Sequence, residues 1–350
     1  MARLDERLAR SPVRDGFVER QHFADAAAAL WLEGELVHLE DLVLHDAHMD
    51  IRTPTHELTR AHAVLRTRRR IFAQKPDWAP SREGLRQLTG RGSVTAPAKD
   101  SQEGDRAPAG MEDDIDGGDA EEDDLLREEF AEIEAVLARS SKILAGADVA
   151  PTTTPRPEER PDLIYDLDWD EGARLIEWQA VVADVRDLPP VLRASVVLDA
   201  WYEIEVLQRG GWIGPLLVAA LLRQEGLAAS HLACLHLGAK SIPRERRRAR
   251  TRSDRLLAFV DAIQEAALAG LKEHDRLVLA KNQMERRLRK RRASSKLADL
   301  VELVLSRPIV STGMIQDGLK VSKQGALNLV GELSLREMTG RGRFRAWGIV

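Results

Sequence analysis

The chain has 350 residues, of which 43% are hydrophobic, only 4% aromatic and 31% charged, with a formal charge of −5. That length supports two or three domains with real cores and excludes a disulfide-stapled miniprotein, since Cys234 is the one cysteine. The longest apolar run, Ile213 to Leu222, is far too short to span a bilayer, and Met1 to Arg10 mixes charged and apolar residues without a secretory h-region. A soluble protein of a bacterial cytoplasm is therefore expected, mainly α because Ala, Leu and Arg dominate.

Residues 1–90 read as an N-terminal helical region. The pattern predicts helices over 20–33, 38–46 and 55–73, the last with Leu58, Ala61, Val64 and Leu65 on one face. Its Arg68-Arg69-Arg70 end favours the negative end of the helix dipole. Six of the nine histidines fall here. His45 and His48, beside Asp46 and Asp50, are metal-binding residue types, but their spacing fits no metal motif, so no metal site is assigned. Residues 91–124 read as an acidic disordered linker: between Asp100 and Asp124 twelve acids face one base, Arg106, too polar a mixture to build a core. Ala150 to Pro161 is a second Pro/Thr-rich break.

Residues 125–292 read as a second helical domain. Leu188 to Leu227 runs LPPVLRASVVLDAWYEIEVLQRGGWIGPLLVAALLRQEGL. This stretch resembles the core of Fic-domain proteins, which transfer AMP from ATP to protein hydroxyls. Their HPFxDGNGR motif precedes a helix of the type IGRLLxxLLLxxEGL, matched here at Gly211 to Leu217 and Gln224 to Leu227. Upstream the match fails. Ile204 stands where the resemblance places the catalytic histidine, Gln208 where it places a metal-binding aspartate, and Trp212 where it places a phosphate-binding arginine. Ile204 has no group that can accept a proton, and Gln208 is a poorer magnesium ligand than a carboxylate. The expectation is a degenerate, catalytically inactive Fic-like scaffold with no catalytic residues and no cofactor. Ala29 to Gly34 resembles the family's inhibitory helix, with Glu33 as its glutamate. Arg209, Gly210 and Gly211 sit before a helix start, where backbone N–H groups and the dipole attract anions, so a nucleotide or phosphate effector is a possible ligand. The alternative is a glycine turn with no ligand.

Cys234, inside the apolar run His231 to Leu237, reads as a small buried hydrophobe. Two basic runs follow, seven arginines between Arg244 and Arg255 and seven basic residues between Lys281 and Arg292. They read either as solvated helix faces or, for the second, as added phosphate affinity.

Residues 293–350 pattern as a winged helix-turn-helix with a small β-hairpin. Leu297, Leu300, Val301, Val304 and Leu305 form one helical stripe behind a Ser294 or Ser295 cap, and Arg307-Pro308 stops the helix. Ser311 or Thr312 caps a second helix through Ile315 and Leu319, and Ser322 caps a third that buries Ala326, Val330 and Leu333. Leu335 to Met338 and Phe344 to Val350 read as two wing strands. Ser322, Lys323, Gln324 and Asn328 then offer base and phosphate contacts, and Arg341, Arg343 and Arg345 offer guanidinium groups on one face of the wing. The module holds eight Lys/Arg against five Asp/Glu, a local charge of +3. Double-stranded DNA is the expected partner, with a homodimer as the acting form and no membrane association. The whole organisation also resembles uncharacterised plasmid-encoded proteins of plant-symbiotic bacteria that carry a C-terminal helix-turn-helix. A DNA-binding transcriptional regulator is therefore expected. An atypical adenylyltransferase and an antitoxin-like protein-interaction module are the alternatives.

Overall fold

A computed structural model describes residues 1–49, 53–89, 169–288, 296–339 and 345–349. The acidic segment 91–124, the segment 125–168 and the wing tip with Arg341 and Arg343 lie outside the described residues. In the N-terminal region, α1 spans Ala2–Ala9, α2 Arg14–Leu32, α3 Leu39–Asp46, α4 His56–Ala73 and α5 Arg82–Leu88. The expected helices correspond to α2, α3 and α4. Thr55 caps α4, its hydroxyl accepting from the Leu58 N–H at 3.3 Å. Helix α2 begins earlier than periodicity suggests, because Phe17 and Val18 already point inward.

The central segment forms α6 (Glu171–Asp184), α7 (Pro190–Ile204), α8 (Ile213–Gln224), α9 (Leu235–Lys240), α10 (Arg244–Arg247) and α11 (Arg252–Leu288). Pro190 opens α7, a position where proline loses no helical bond. Helix α8 is buried from Ile213 to Leu222, which explains its apolar character on all sides. Helix α11 is one continuous rod of 37 residues.

The described residues of the N-terminal, central and C-terminal segments contribute to one core. Met1–Val94 and Asp166–Val350 form one unit. Leu4, Phe17, Phe23, Trp201, Leu216 and Leu305 belong to one apolar cluster. One buried pair of opposite charges lies inside it. Arg68 and Asp25, both fully buried, form an ion pair, and Arg68 also donates to the Leu232 carbonyl at 3.1 Å. Asp25 accepts from the Leu237 N–H at 2.9 Å and lies 2.9 Å from His236 Nδ1. Cys234 packs against this group, and burial pushes its thiol up to about 12, so it stays protonated and unreactive.

The C-terminal module comprises α12 (Leu297–Ser306), β1 (Val310–Ser311), α13 (Thr312–Leu319), α14 (Lys323–Leu333), β2 (Arg336–Glu337) and β3 (Ala346–Gly348). Its sheet has three strands in the order β1-β3-β2, both pairs antiparallel. This corrects the expected two-stranded hairpin: Val310 pairs with Trp347, so the segment after Pro308 closes the sheet. No described helix is long and apolar enough to cross a membrane.

Candidate nucleic-acid interface

Helix α14 is built to present one polar face. Ala326, Val330 and Leu333 face the core, while Ser322, Lys323, Gln324 and Asn328 are exposed. Ser322 starts the helix, its Oγ accepting from the Gly325 N–H at 3.2 Å. Gln324 and Asn328 lie one turn apart, and Gln324 Nε2 donates to Asn328 Oδ1 at 3.0 Å. Gly331 continues this face, and a side chain there would meet open space. The preceding turn is tight: Lys320 adopts φ +54, and the Val321 N–H donates to the Gln316 carbonyl at 3.2 Å. Ser311 caps α13 through the Met314 N–H at 3.2 Å. The Ser294 and Ser295 candidates for the first helix lie outside the described residues, and Lys296 at the cap position makes no side-chain capping bond.

The wing differs from expectation in charge. Arg345 is exposed, but it donates to Glu337 Oε2 through Nε at 3.0 Å and Nη2 at 2.6 Å, and stacks over Trp347. That pairing raises the Arg345 value and lowers Glu337. Arg345 therefore braces the hairpin through Glu337. Arg307 is likewise committed, to Glu19 and Asp46 at 2.9 Å each. With Lys296, which lies 3.4 Å from Asp299, three of the eight cations are paired with carboxylates of the same chain, and the exposed remainder of the described module includes Lys320, Lys323 and Arg336.

The body holds this module firmly. Gly16 of α2 lets the helix approach α12 so closely that an added Cβ would lie 2.9 Å from the Leu305 carbonyl oxygen. Arg20 donates to the Val304 carbonyl at 3.2 Å and to the Arg307 carbonyl. Arg69 binds Asp46 at 2.5 Å, completing a network of Glu19, Asp46, Arg69 and Arg307. From α11, Arg276 donates to the Ile349 carbonyl at 2.6 Å, and Arg287 donates to the Leu333 carbonyl at the end of α14. None of these partners was legible in sequence, because each lies far away along the chain. Loss of the Ser322 cap should act locally. Ser322→Ala is expected to cost about 1 kcal/mol, read as a lower thermal midpoint of the full chain; an unchanged midpoint would show that the cap is dispensable.

The other candidate residues behave differently. Gly210 takes φ +82, and the Ile213 and Gly214 N–H groups already donate to the Gly210 and Gly211 carbonyls at 2.9 and 3.3 Å. Pro215 has no N–H, so the start of α8 has few donors left for an anion beside exposed Arg209. Ile204 is half-buried and accepts from Arg174 through its carbonyl, and the Trp212 carbonyl lies 3.2 Å from His236 Nε2. Glu33 forms an ion pair with Arg60. His45 meets the His62 ring edge-on at 4.7 Å, and His62 in turn contacts Asp46 at 3.3 Å. In the basic runs, Arg246 pairs with Asp261, Arg252 and Arg255 with Asp199, and Lys281 with Glu302.

A three-helix module with a short sheet, whose third helix exposes polar side chains, defines a DNA-binding protein of the helix-turn-helix class. Residues 297–350 match the model of a family described as "HTH DNA binding domain". Residues 163–289 match that of a "Protein of unknown function (DUF1612)". Over 360 aligned positions the chain is 53% identical to the uncharacterized protein y4cF of Sinorhizobium fredii (strain NBRC 101917 / NGR234), covering 99% of this chain and 93% of that one. The chain belongs to the family of that protein.

Proposed function

We propose that this DNA-binding protein is a cytoplasmic transcriptional regulator in which α14 reads the major groove and the helical body serves as a dimerisation element. The observation that carries this reading is the exposed Gln324–Asn328 pair opposite the buried face of α14. Amide side chains so placed offer the donor and acceptor that an adenine edge requires. Dimerisation is favoured over anion sensing because the N–H groups at the start of α8 are already engaged. The body is proposed as a Fic-like scaffold without turnover, since Ile204 supplies only an aliphatic side chain where that family's chemistry needs a proton acceptor. Pull-down of genomic DNA with the full chain is expected to return a recurrent site upstream of genes. Recovery of no recurrent site, together with a co-purifying protein, would favour the interaction-module alternative. Incubation with labelled ATP and candidate proteins tests the enzymatic alternative; robust self- or target labelling would overturn the non-enzyme reading.

A further inference from the structure

Helix α11 has one face on which three large apolar side chains stay exposed. Its inner side is buried through Ala262, Ala266, Gly270 and Leu277. On the outer side Leu257, Leu268 and Leu279 are 58%, 49% and 59% exposed. They recur every eleven residues, and eleven residues close about three helical turns, so the leucines share one stripe about 33 Å long. Single exposed leucines are ordinary. Three on one line of a rigid rod make a seam.

We propose that this stripe is the two-fold interface of a homodimer, with α11 packed antiparallel against α11 of a second copy about Leu268. The proposal rests on the reading of the helical body as a dimerisation element and is independent of DNA binding. A two-fold interface must be self-complementary, and the spacing is symmetric. Leu268 meets its own counterpart on the axis, and Leu257 meets Leu279 of the second copy at both ends. Charge selects the direction. Lys272 and Glu265, which flank the stripe on the same side, pair with no other described residue in ion pairs or hydrogen bonds, and the antiparallel arrangement brings Lys272 level with Glu265 of the second copy twice. A parallel arrangement also matches leucine to leucine, but its two-fold axis runs along the rods and sets this flank of one copy against the opposite flank of the other, so Lys272 and Glu265 do not meet. Asp261 and Asp275 of the second copy approach each other in the antiparallel dimer. Each brings its own arginine, Arg246 at 2.7 Å and Arg7 at 2.8 Å, so the group is neutral as a whole.

Sedimentation of the full chain without DNA tests the association, and cysteine crosslinking tests the geometry. The native Cys234 is buried and does not interfere. The expected mass is twice the 39.0 kDa of one chain. Leu268→Cys should crosslink to itself under mild oxidation. Leu257→Cys should not crosslink to itself but should crosslink to Leu279→Cys when the two variants are mixed. Lys272→Glu should weaken the dimer at least tenfold, and adding Glu265→Lys should restore it. A monomer at micromolar concentration, as when residues 95–165 or another protein cover the stripe, would overturn the proposal. So would a dimer without the Leu268→Cys crosslink, or self-crosslinking of Leu257→Cys. Because no DNA is present, these outcomes are separate from failure to bind an operator.

Discussion

Replacing Asp25 with asparagine is expected to destabilise the folded chain by about 3–5 kcal/mol and to lower Tm by about 5–10 °C. The reason is the company Asp25 keeps. It is fully buried with the fully buried Arg68, and the same carboxylate binds the Leu237 N–H and His236. Asparagine preserves the size of the side chain but removes the charge, leaving a guanidinium in the core without its counter-ion. A buried ion whose partner is removed is costly, whereas replacing both partners with apolar groups is often nearly neutral. Arg68→Met combined with Asp25→Asn should therefore lose less than the two single variants added together, and additive losses would show that the pair is not coupled.

The same pair sets an acid limit. Burial alone would raise the Asp25 carboxyl, but Arg68, His236 and the Leu237 N–H outweigh it and hold the group below the usual carboxylate value. A lowered folded value means that the stabilisation is fully present above the unfolded value, about pH 4, and is lost as pH falls through the folded one. Thermal midpoints measured downward from pH 5 should fall more steeply for the native chain than for Asp25→Asn. Parallel curves would indicate that other carboxylates dominate acid unfolding.

What was legible in the sequence was local. The caps at Ser311 and Ser322 depend on a hydroxyl and an N–H three residues on, and the stripe from Leu297 to Leu305 depends on helical periodicity alone. Three helices and a wing followed from these signals. Strand β1 was hidden because two residues carry no periodicity and become a strand only by pairing with Ala346 and Trp347. Helix α1 was hidden because eight residues are too few to stand alone, and it persists through burial of Leu4 and Leu8. At the site, Lys323, Gln324 and Asn328 could be placed outward from the apolar face opposite them. Arg345 could be placed on the surface, but not its commitment to Glu337. Arg307 looked like a helix stop before proline, yet its partners Glu19 and Asp46 lie hundreds of residues away and emerge only from folding.

Removing the amides of α14 should cost specificity rather than affinity at large. In the free protein Gln324 Nε2 donates to Asn328 Oδ1. This leaves Gln324 Oε1 as an acceptor and Asn328 Nδ2 as a donor, the complement of the adenine N6 donor and N7 acceptor. A good contact of this kind is worth about 1–3 kcal/mol, so Gln324→Ala with Asn328→Ala should weaken binding to a selected site about 100-fold. Binding to a random duplex should barely change, because that affinity comes from phosphate contacts. Lys323→Ala and Arg343→Ala should behave in the opposite way. Each removes one cation, weakens selected and random duplexes alike, and lowers the salt slope by about one. Arg345→Ala should have a smaller effect on the slope, since Glu337 already neutralises that guanidinium. Fluorescence anisotropy of the full chain across a salt series separates these outcomes. If the double amide variant loses equally on both duplexes, α14 touches only the backbone, and sequence must be read by another element or through the shape of the duplex.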